Sequence, residues 1–383
     1  LHTAYRRQRQ MCIRDSRAIG QHESGASHST LNSVYTFSPA PHTQAPFPQI
    51  TNAHLSLNNL LPPPPTLVSP QMLRRSFLSL RYYSTHPSPI PSSSLSTARR
   101  QKTLTDIYKL YAANTPVSVI TAHDFISATW ADNTENVDMV LVGDSLAMVA
   151  KGHASTLELD FDDFYYSTKS VTKAINSKFL IVDFPFGSFE SSITQCMDTA
   201  VKLMKLGKIG SLKLEGSYEI TNHIKTLTNF GIPITGHIGL QPQKYNLYGG
   251  FRAQGRTASN ALEIFKQAIH LQNSGCKMLV LECIPEKLSQ YITQHLNIPT
   301  IGIGAGNKTS GQVLVLADAL GMLPGKKAKF VNPYLDMHTL ATQALQEYTH
   351  DVKSKNFPQS GKHTYPMDDE EFHEFEKLAK SAV

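Results

Sequence analysis

The chain has 383 residues, with 36 Lys+Arg against 30 Asp+Glu and a formal net charge of +6. No run of about 18 apolar residues occurs, which excludes a membrane-spanning helix. The four cysteines, Cys12, Cys196, Cys276 and Cys283, are too few and too scattered for a disulfide framework or a structural zinc cluster.

The basic charge is confined to one end. Before Thr105 there are eleven bases and two acids, Asp15 and Glu23; from Thr105 on there are 25 bases and 28 acids. Twelve of the 22 prolines also precede Thr105. Residues 1–103 thus read as a disordered basic leader that cannot build a core, and the globular part has no excess of base to hold nucleic acid. From Met72 the leader runs Met-Leu-Arg-Arg-Ser-Phe-Leu-Ser-Leu-Arg-Tyr-Tyr-Ser, acid-free, with Arg74, Arg75 and Arg81 interleaved among Leu73, Phe77, Leu78 and Leu80. That composition predicts an amphipathic mitochondrial transit peptide, cleaved near Tyr83 or Ser84, and a matrix location.

From Leu104 to Phe357 one unit recurs: a short apolar run, a polar or glycine step, then a helical stretch. The runs are Val117–Asp124, Met139–Ser145, Phe179–Pro185, Ser211–Gly216, Ile232–Gly239, Met278–Ile284, Thr300–Gly306 and, weakly, Lys329–Tyr334. Continuous apolar runs of this length fit strands buried on both faces of a parallel sheet. Between them, Ile193, Cys196, Met197, Ala200, Val201 and Met204 mark one face of a helix within residues 190–205. Ala261, Ile264, Phe265, Ala268 and Ile269 do the same within residues 258–274, and Gly275 follows as a C-terminal cap. Eight such units in about 250 residues predict a TIM (β/α)8 barrel, with residues 358–383 as a C-terminal tail. A doubly wound open sheet is the rival. The Gly302-Ile-Gly-Ala-Gly306 cluster has the wrong spacing and position for a dinucleotide loop, and reads as a tight turn beside the site.

Barrel active sites lie at the carboxyl ends of strands. The runs end in Asp144 and Ser145, Asp183, Lys213 and Glu215, His237, and Glu282. Taken singly, each of these reads better as a cap, an ion pair or a core hydrogen bond. Together they put four carboxylates, a lysine and a histidine on one rim. Buried charge is costly unless paired or metal-bound. The donors are oxygen, which suits Mg²⁺ rather than zinc. Such a site fits enolisation or aldol-type chemistry on a 2-oxo acid, whose carboxylate and ketone oxygens chelate a cation. A metal-dependent barrel lyase or mutase and a non-catalytic scaffold are the competing readings.

The motifs Val142-Gly-Asp-Ser-Leu146, Asp183-Phe-Pro-Phe186, Lys213-Leu-Glu-Gly216, Gly236-His-Ile-Gly-Leu-Gln-Pro242, Leu279-Val-Leu-Glu-Cys283 and Ile301-Gly-Ile-Gly-Ala-Gly-Asn307 occur in that order. Together they closely resemble the ketopantoate hydroxymethyltransferase family, over the whole of residues 104–357. The resemblance implies a Mg²⁺-dependent barrel that transfers a one-carbon unit from 5,10-methylenetetrahydrofolate to 3-methyl-2-oxobutanoate in pantothenate synthesis. It implies Asp144, Asp183 and Glu215 as metal ligands. Asp144, Ser145, Asp183 and Lys213 become substrate contacts, and Glu282 the proton-abstracting base; His237 is left without a role. It also implies a closed homo-oligomer. Ala122-His123-Asp124 and Ala147 depart from the family pattern, away from every proposed ligand.

Overall fold

The computed structural model describes residues 100–382. The leader readings, from Met72 to the cleavage site, lie outside the described residues. Eight parallel strands close into a barrel in sequence order, each paired with its neighbours and the last with the first. Helix α1 (Leu104–Ala112) precedes β1 (Val117–Thr121) and α2 (Phe125–Asn133). Then follow β2 (Met139–Val142), α3 (Leu146–Val149), α4 (Phe161–Ala174), β3 (Phe179–Asp183) and α5 (Ile193–Met204). Next are β4 (Ile209–Glu215), α6 (Thr221–Asn229), β5 (Ile234–Gly239), α7 (Tyr245–Tyr248) and α8 (Ala258–Ser274). The series ends with β6 (Met278–Glu282), α9 (Glu286–His295), β7 (Thr300–Ile303), β8 (Gly311–Leu314), α10 (Leu316–Ala319), α11 (Met337–Lys353) and α12 (Asp369–Ala382). Among the described residues no helix is long and apolar enough to cross a membrane.

Seven of the eight expected strands stand where the apolar runs placed them. The eighth does not: β8 is Gly311–Leu314, which pairs with β7 and β1. The segment 329–334 is irregular chain. It contains Pro333, which has no N–H to give a ladder. No helix separates β7 from β8, so the strand–helix alternation fails there.

The two faces of the strands carry different cores. Val119, Met139, Leu141, Phe179, Ile181, Met278, Val280, Ile301, Ile303 and Val313 fill the barrel interior, and Ile107 of α1 packs with them. Their alternates, such as Val140, Val182, Leu214, Ile238 and Leu281, pack with residues of the surrounding helices. On β4 and β5 the inward positions are instead Ser211, Lys213, Glu215, Thr235 and His237, all buried. Ser211 and Thr235 hydroxyls bond each other at 2.8 Å. The period-two alternation of a strand therefore directs Asp183, Lys213, Glu215, His237 and Glu282 to the interior side.

The helices are capped as their sequences imply. Ser192 Oγ accepts the Gln195 N–H at the start of α5. Gly275 ends α8 in the left-handed region, φ +115°, the conformation that favours glycine there. The α5 face differs from the expected stripe. Cys196, Thr199, Ala200 and Leu203 are buried, whereas Val201 is 45% exposed. Thr199 belongs to the inner face because its hydroxyl donates to the Ser188 carbonyl at 2.7 Å.

Before Leu104, the Gln101 side-chain amide donates to the Lys178 and Lys208 carbonyls, and Lys102 pairs with Asp138. These contacts join the amino-terminal ends of β2, β3 and β4. Helices α11 and α12 bury no residue, and α11 exposes Leu340, Leu345, Tyr348 and Val352. Acids fill the first turn of α12, where they complement its dipole.

Candidate active site

Barrel register brings the rim residues side by side. Asp183 of β3 lies opposite Lys213 of β4, and Glu215 of β4 opposite His237 of β5. Asp144, just past β2, joins them through its backbone N–H, which donates to Asp183 Oδ2 at 3.0 Å. The Lys213 ammonium is 3.2 Å from that same Asp183 oxygen and 3.8 Å from Glu215 Oε1. His237 bridges two carboxylates: Nδ1 is 3.2 Å from Glu215 Oε1, and Nε2 is 3.2 Å from Glu282 Oε2. All six residues expected at one rim therefore form a single cluster. Ser145 adjoins it, half-buried at the start of α3. Its hydroxyl and Asp183 Oδ2 lie 3.1 and 3.6 Å from where a Cβ on Gly143 would stand.

Exposure separates one carboxylate from the rest. The side chains of Asp183 and Glu215 are 2% exposed, whereas that of Glu282 is 17% exposed. Glu282 ends its strand because Cys283 turns the chain at φ +49° and donates its N–H to Ile303 O.

The electrostatics follow from burial. Burial, with Glu215 and Asp183 nearby, pushes the Asp144 carboxyl well above the ordinary range, against the opposing pull of Lys213 and Gln243. Burial also raises Asp183, although Lys213 and the Asp144 N–H oppose it. In Glu215 the burial penalty is outweighed by His237, Lys213 and the Gln243 N–H, and its carboxyl is lowered. Burial pushes the Lys213 ammonium down, but Asp183, Glu215, Asp144 and Glu282 hold it above its usual value. Burial and Lys213 likewise oppose charge on His237, yet Glu215 and Glu282 raise it to about 9. With Asp144 and Asp183 both raised, the cluster resists carrying all of its negative charge without a further cation.

A hard cation suits such a cluster. Asp183 Oδ1 is buried and meets no hydrogen-bond donor among the described residues, an expensive state for a carboxylate oxygen unless something positive reaches it. The available donors are carboxylate oxygens, which suit a hard cation. Among the described residues no three His, Cys, Asp or Glu side chains converge as a ready-made cage. Asp144 and Asp183 fit as a ligand pair. Glu215 has both oxygens engaged, Oε1 by His237 and Oε2 by the Gln243 N–H. Glu215 would lend negative charge to a cation held there rather than a free oxygen.

Sequence reasoning missed Gln243. It is buried, and its side-chain nitrogen donates to Asp144 Oδ2 at 2.9 Å and to the Phe184 carbonyl at 2.8 Å. The only signal for it was its place one residue after the Gln241-Pro242 step that closes the His237 motif.

The family model for ketopantoate hydroxymethyltransferase matches residues 101–360. The 3-methyl-2-oxobutanoate hydroxymethyltransferase of Emericella nidulans is 44% identical over 281 residues, covering 73% of this chain and 80% of that protein. The Saccharomyces cerevisiae protein of the same name is 44% identical, with 72% and 90% covered, and the Bacillus pumilus one 39% identical, with 70% and 96% covered. A phosphoenolpyruvate phosphomutase structure from Streptomyces platensis aligns at a TM-score of 0.45 with 13% identity, covering 73% of this chain and 99% of that one, a likeness too loose to bear on chemistry. The relatives carry the assignment: this chain belongs to the ketopantoate hydroxymethyltransferase family.

Proposed function

We propose that this chain joins the one-carbon unit of 5,10-methylenetetrahydrofolate, with water, to 3-methyl-2-oxobutanoate as a hydroxymethyl group in a Mg²⁺-dependent reaction, giving 2-dehydropantoate and tetrahydrofolate as the first step of pantothenate synthesis. The observation that carries this reading is the buried cluster of Asp144, Asp183 and Glu215 around Lys213, with the more open Glu282 beside it, in a chain whose relatives bear that enzyme name.

Asp144 and Asp183 hold the cation, and Glu215 completes its acidic surroundings. When bound, Mg²⁺ polarises the ketone of the oxo acid and stabilises the enolate. Lys213, fixed by Asp183 and Glu215, adds positive charge where the substrate's carboxylate and enolate oxygen gather, and Ser145 offers a hydroxyl to the same groups. Glu282 is the base: its carboxylate takes the single proton from C3, and the electron pair left behind forms the new bond to the one-carbon unit, while that carbon's two bonds to folate nitrogen break, water supplies the hydroxyl, and the freed nitrogens take up the protons. His237 orients the base, since its Nε2 lies 3.2 Å from Glu282 Oε2. Exposure agrees with this division of labour, because the carboxylate that meets substrate is the one open to solvent.

The reading extends to place and assembly. The acid-free Arg/Leu/Ser run from Met72 supports import into the mitochondrial matrix, and amino-terminal sequencing of the native protein checks it; a mature chain that retains residues 72–81 overturns it. The apolar side chains exposed on α11 support a homo-oligomer. The central experiment is turnover of 3-methyl-2-oxobutanoate with and without methylenetetrahydrofolate and with and without Mg²⁺. Activity that persists without the folate overturns the proposal.

A further inference from the structure

Gln243 reaches three strand ends from the short 3₁₀ turn that follows β5 (Pro242–Lys244). Its side-chain nitrogen donates to Asp144 Oδ2 at 2.9 Å, past β2, and to the Phe184 carbonyl at 2.8 Å, past β3. Its backbone N–H donates to Glu215 Oε2 at 3.0 Å, at the end of β4. The residue is only 8% exposed. Pro242 fixes the start of the turn, and the neighbouring Gln241 side chain ties it back to the His237 carbonyl at 2.9 Å. Both hydrogens of the Gln243 amide are therefore spent on Asp144 and the chain beside Asp183, and neither is free to turn toward substrate.

From this geometry we propose that Gln243 is a positioning residue: it holds the Asp144 carboxylate, and through its own backbone Glu215, in the orientation that receives the cation. The inference rests on the metal reading of the site given above. An amide is suited to this because it donates without adding charge. A carboxylate free to rotate about its Cβ–Cγ bond must be ordered when it captures an ion, and the bond from Gln243 removes that cost in advance. Partners behind a ligand contribute in this way to metal affinity in general.

The test is calorimetric titration of Mg²⁺ into the full chain, for wild type, Gln243→Met and Gln243→Asn, with urea unfolding of each in the absence of metal. Methionine has nearly the same length and no donor. Asparagine keeps the donor but is one methylene short. Both variants are expected to bind Mg²⁺ roughly 10–100-fold more weakly than wild type. If the Met variant does not fold, the Asn variant carries the comparison. An amide with a purely structural role lowers metal-free stability yet leaves the Mg²⁺ affinity of the folded chain within about twofold of wild type; that result overturns the proposal while leaving the metal site intact. A wild-type chain that takes up no Mg²⁺ overturns the metal reading and this role together.

Discussion

Gly239 of β5 lies opposite Glu282 of β6 in the barrel register, and a Cβ on Gly239 would stand 2.2 Å from the Glu282 carbonyl oxygen. That carbonyl already accepts the Leu240 N–H at 2.8 Å. Gly239 also has φ +95°, which L side chains rarely adopt. Two independent reasons therefore require glycine at the position that seats the proposed base.

Gly239→Ala is expected to lose at least ~2 kcal/mol of stability, since strain and collision add. Because the collision is with the Glu282 backbone, turnover should fall further than the folded fraction does. Urea unfolding read alongside the activity of the folded fraction checks both parts. A variant with unchanged specific activity places Glu282 outside the chemistry or beyond the reach of this contact.

Most of the site was legible because a charged residue closing an apolar strand run is conspicuous, and period-two alternation then directs it inward. Seven strands were legible for the same reason. The eighth was not, because Gly311-Gln-Val-Leu314 is only four residues long and is interrupted by Gln312, and pairing with β7 and β1 makes it a strand. Gln243 was hidden for a related cause. Its partners are 28, 59 and 99 residues away, and no local pattern records such contacts. On α5, Thr199 faces inward because Ser188 satisfies its hydroxyl, which an apolar stripe cannot anticipate.

Asp144→Asn and Asp183→Asn are each expected to lose the Mg²⁺-induced rise in melting temperature together with activity. Without metal, Asp144→Asn should be as stable as wild type or more so, because it removes a buried charge that Glu215 and Asp183 repel. Asp183→Asn has less to gain, since the lost carboxylate leaves Lys213 short of a partner. Thermal melts with and without Mg²⁺ separate the two. A variant that keeps the wild-type Mg²⁺ shift is not missing a ligand.

Lys213→Met should cost ~3–5 kcal/mol in the metal-free protein, as removing one member of a buried ion cluster leaves the others uncompensated. The ammonium is 6% exposed and faces both Asp183 and Glu215. Added Mg²⁺ should restore part of the loss, because it answers the same negative charge. Urea unfolding at several Mg²⁺ concentrations measures this, and a metal-free loss below about 1 kcal/mol contradicts the buried pairing.

Asp124 caps α2, accepting the Ser127 N–H at 2.7 Å and the Ser127 hydroxyl at 2.6 Å. Partial burial pushes its carboxyl up, but the bonds from Ser127 outweigh this and hold it below the ordinary 3.8. A depressed folded value means the stabilisation is complete above the unfolded value and is lost as pH falls through the folded one. Asp124→Ala should therefore cost ~1 kcal/mol at neutral pH, with the gap from wild type closing only below about pH 4. Denaturation curves at pH 7 and pH 3 test the sign; a gap that widens in acid refutes the capping account.

Glu282→Gln bears most directly on the chemistry. Glutamine keeps the shape, and Glu215 still faces the His237 ring at Nδ1, so the fold should be undisturbed. It cannot accept a proton from carbon. Substrate and Mg²⁺ binding should survive, because Asp144, Asp183, Lys213 and Glu215 are untouched, while removal of the C3 proton should slow by roughly 100-fold or more. That step can be isolated without folate by following exchange of the C3 proton of 3-methyl-2-oxobutanoate with deuterated water in the presence of Mg²⁺. Exchange at the wild-type rate would remove Glu282 from the role of base. His237 would then be the next candidate, because the substitution removes one of the two carboxylates that raise its proton affinity. Where exchange is slow, as expected, repeating it with Glu282→Gln at pH 10 distinguishes a masked histidine base, whose exchange recovers with pH, from a site with no second base, whose exchange does not.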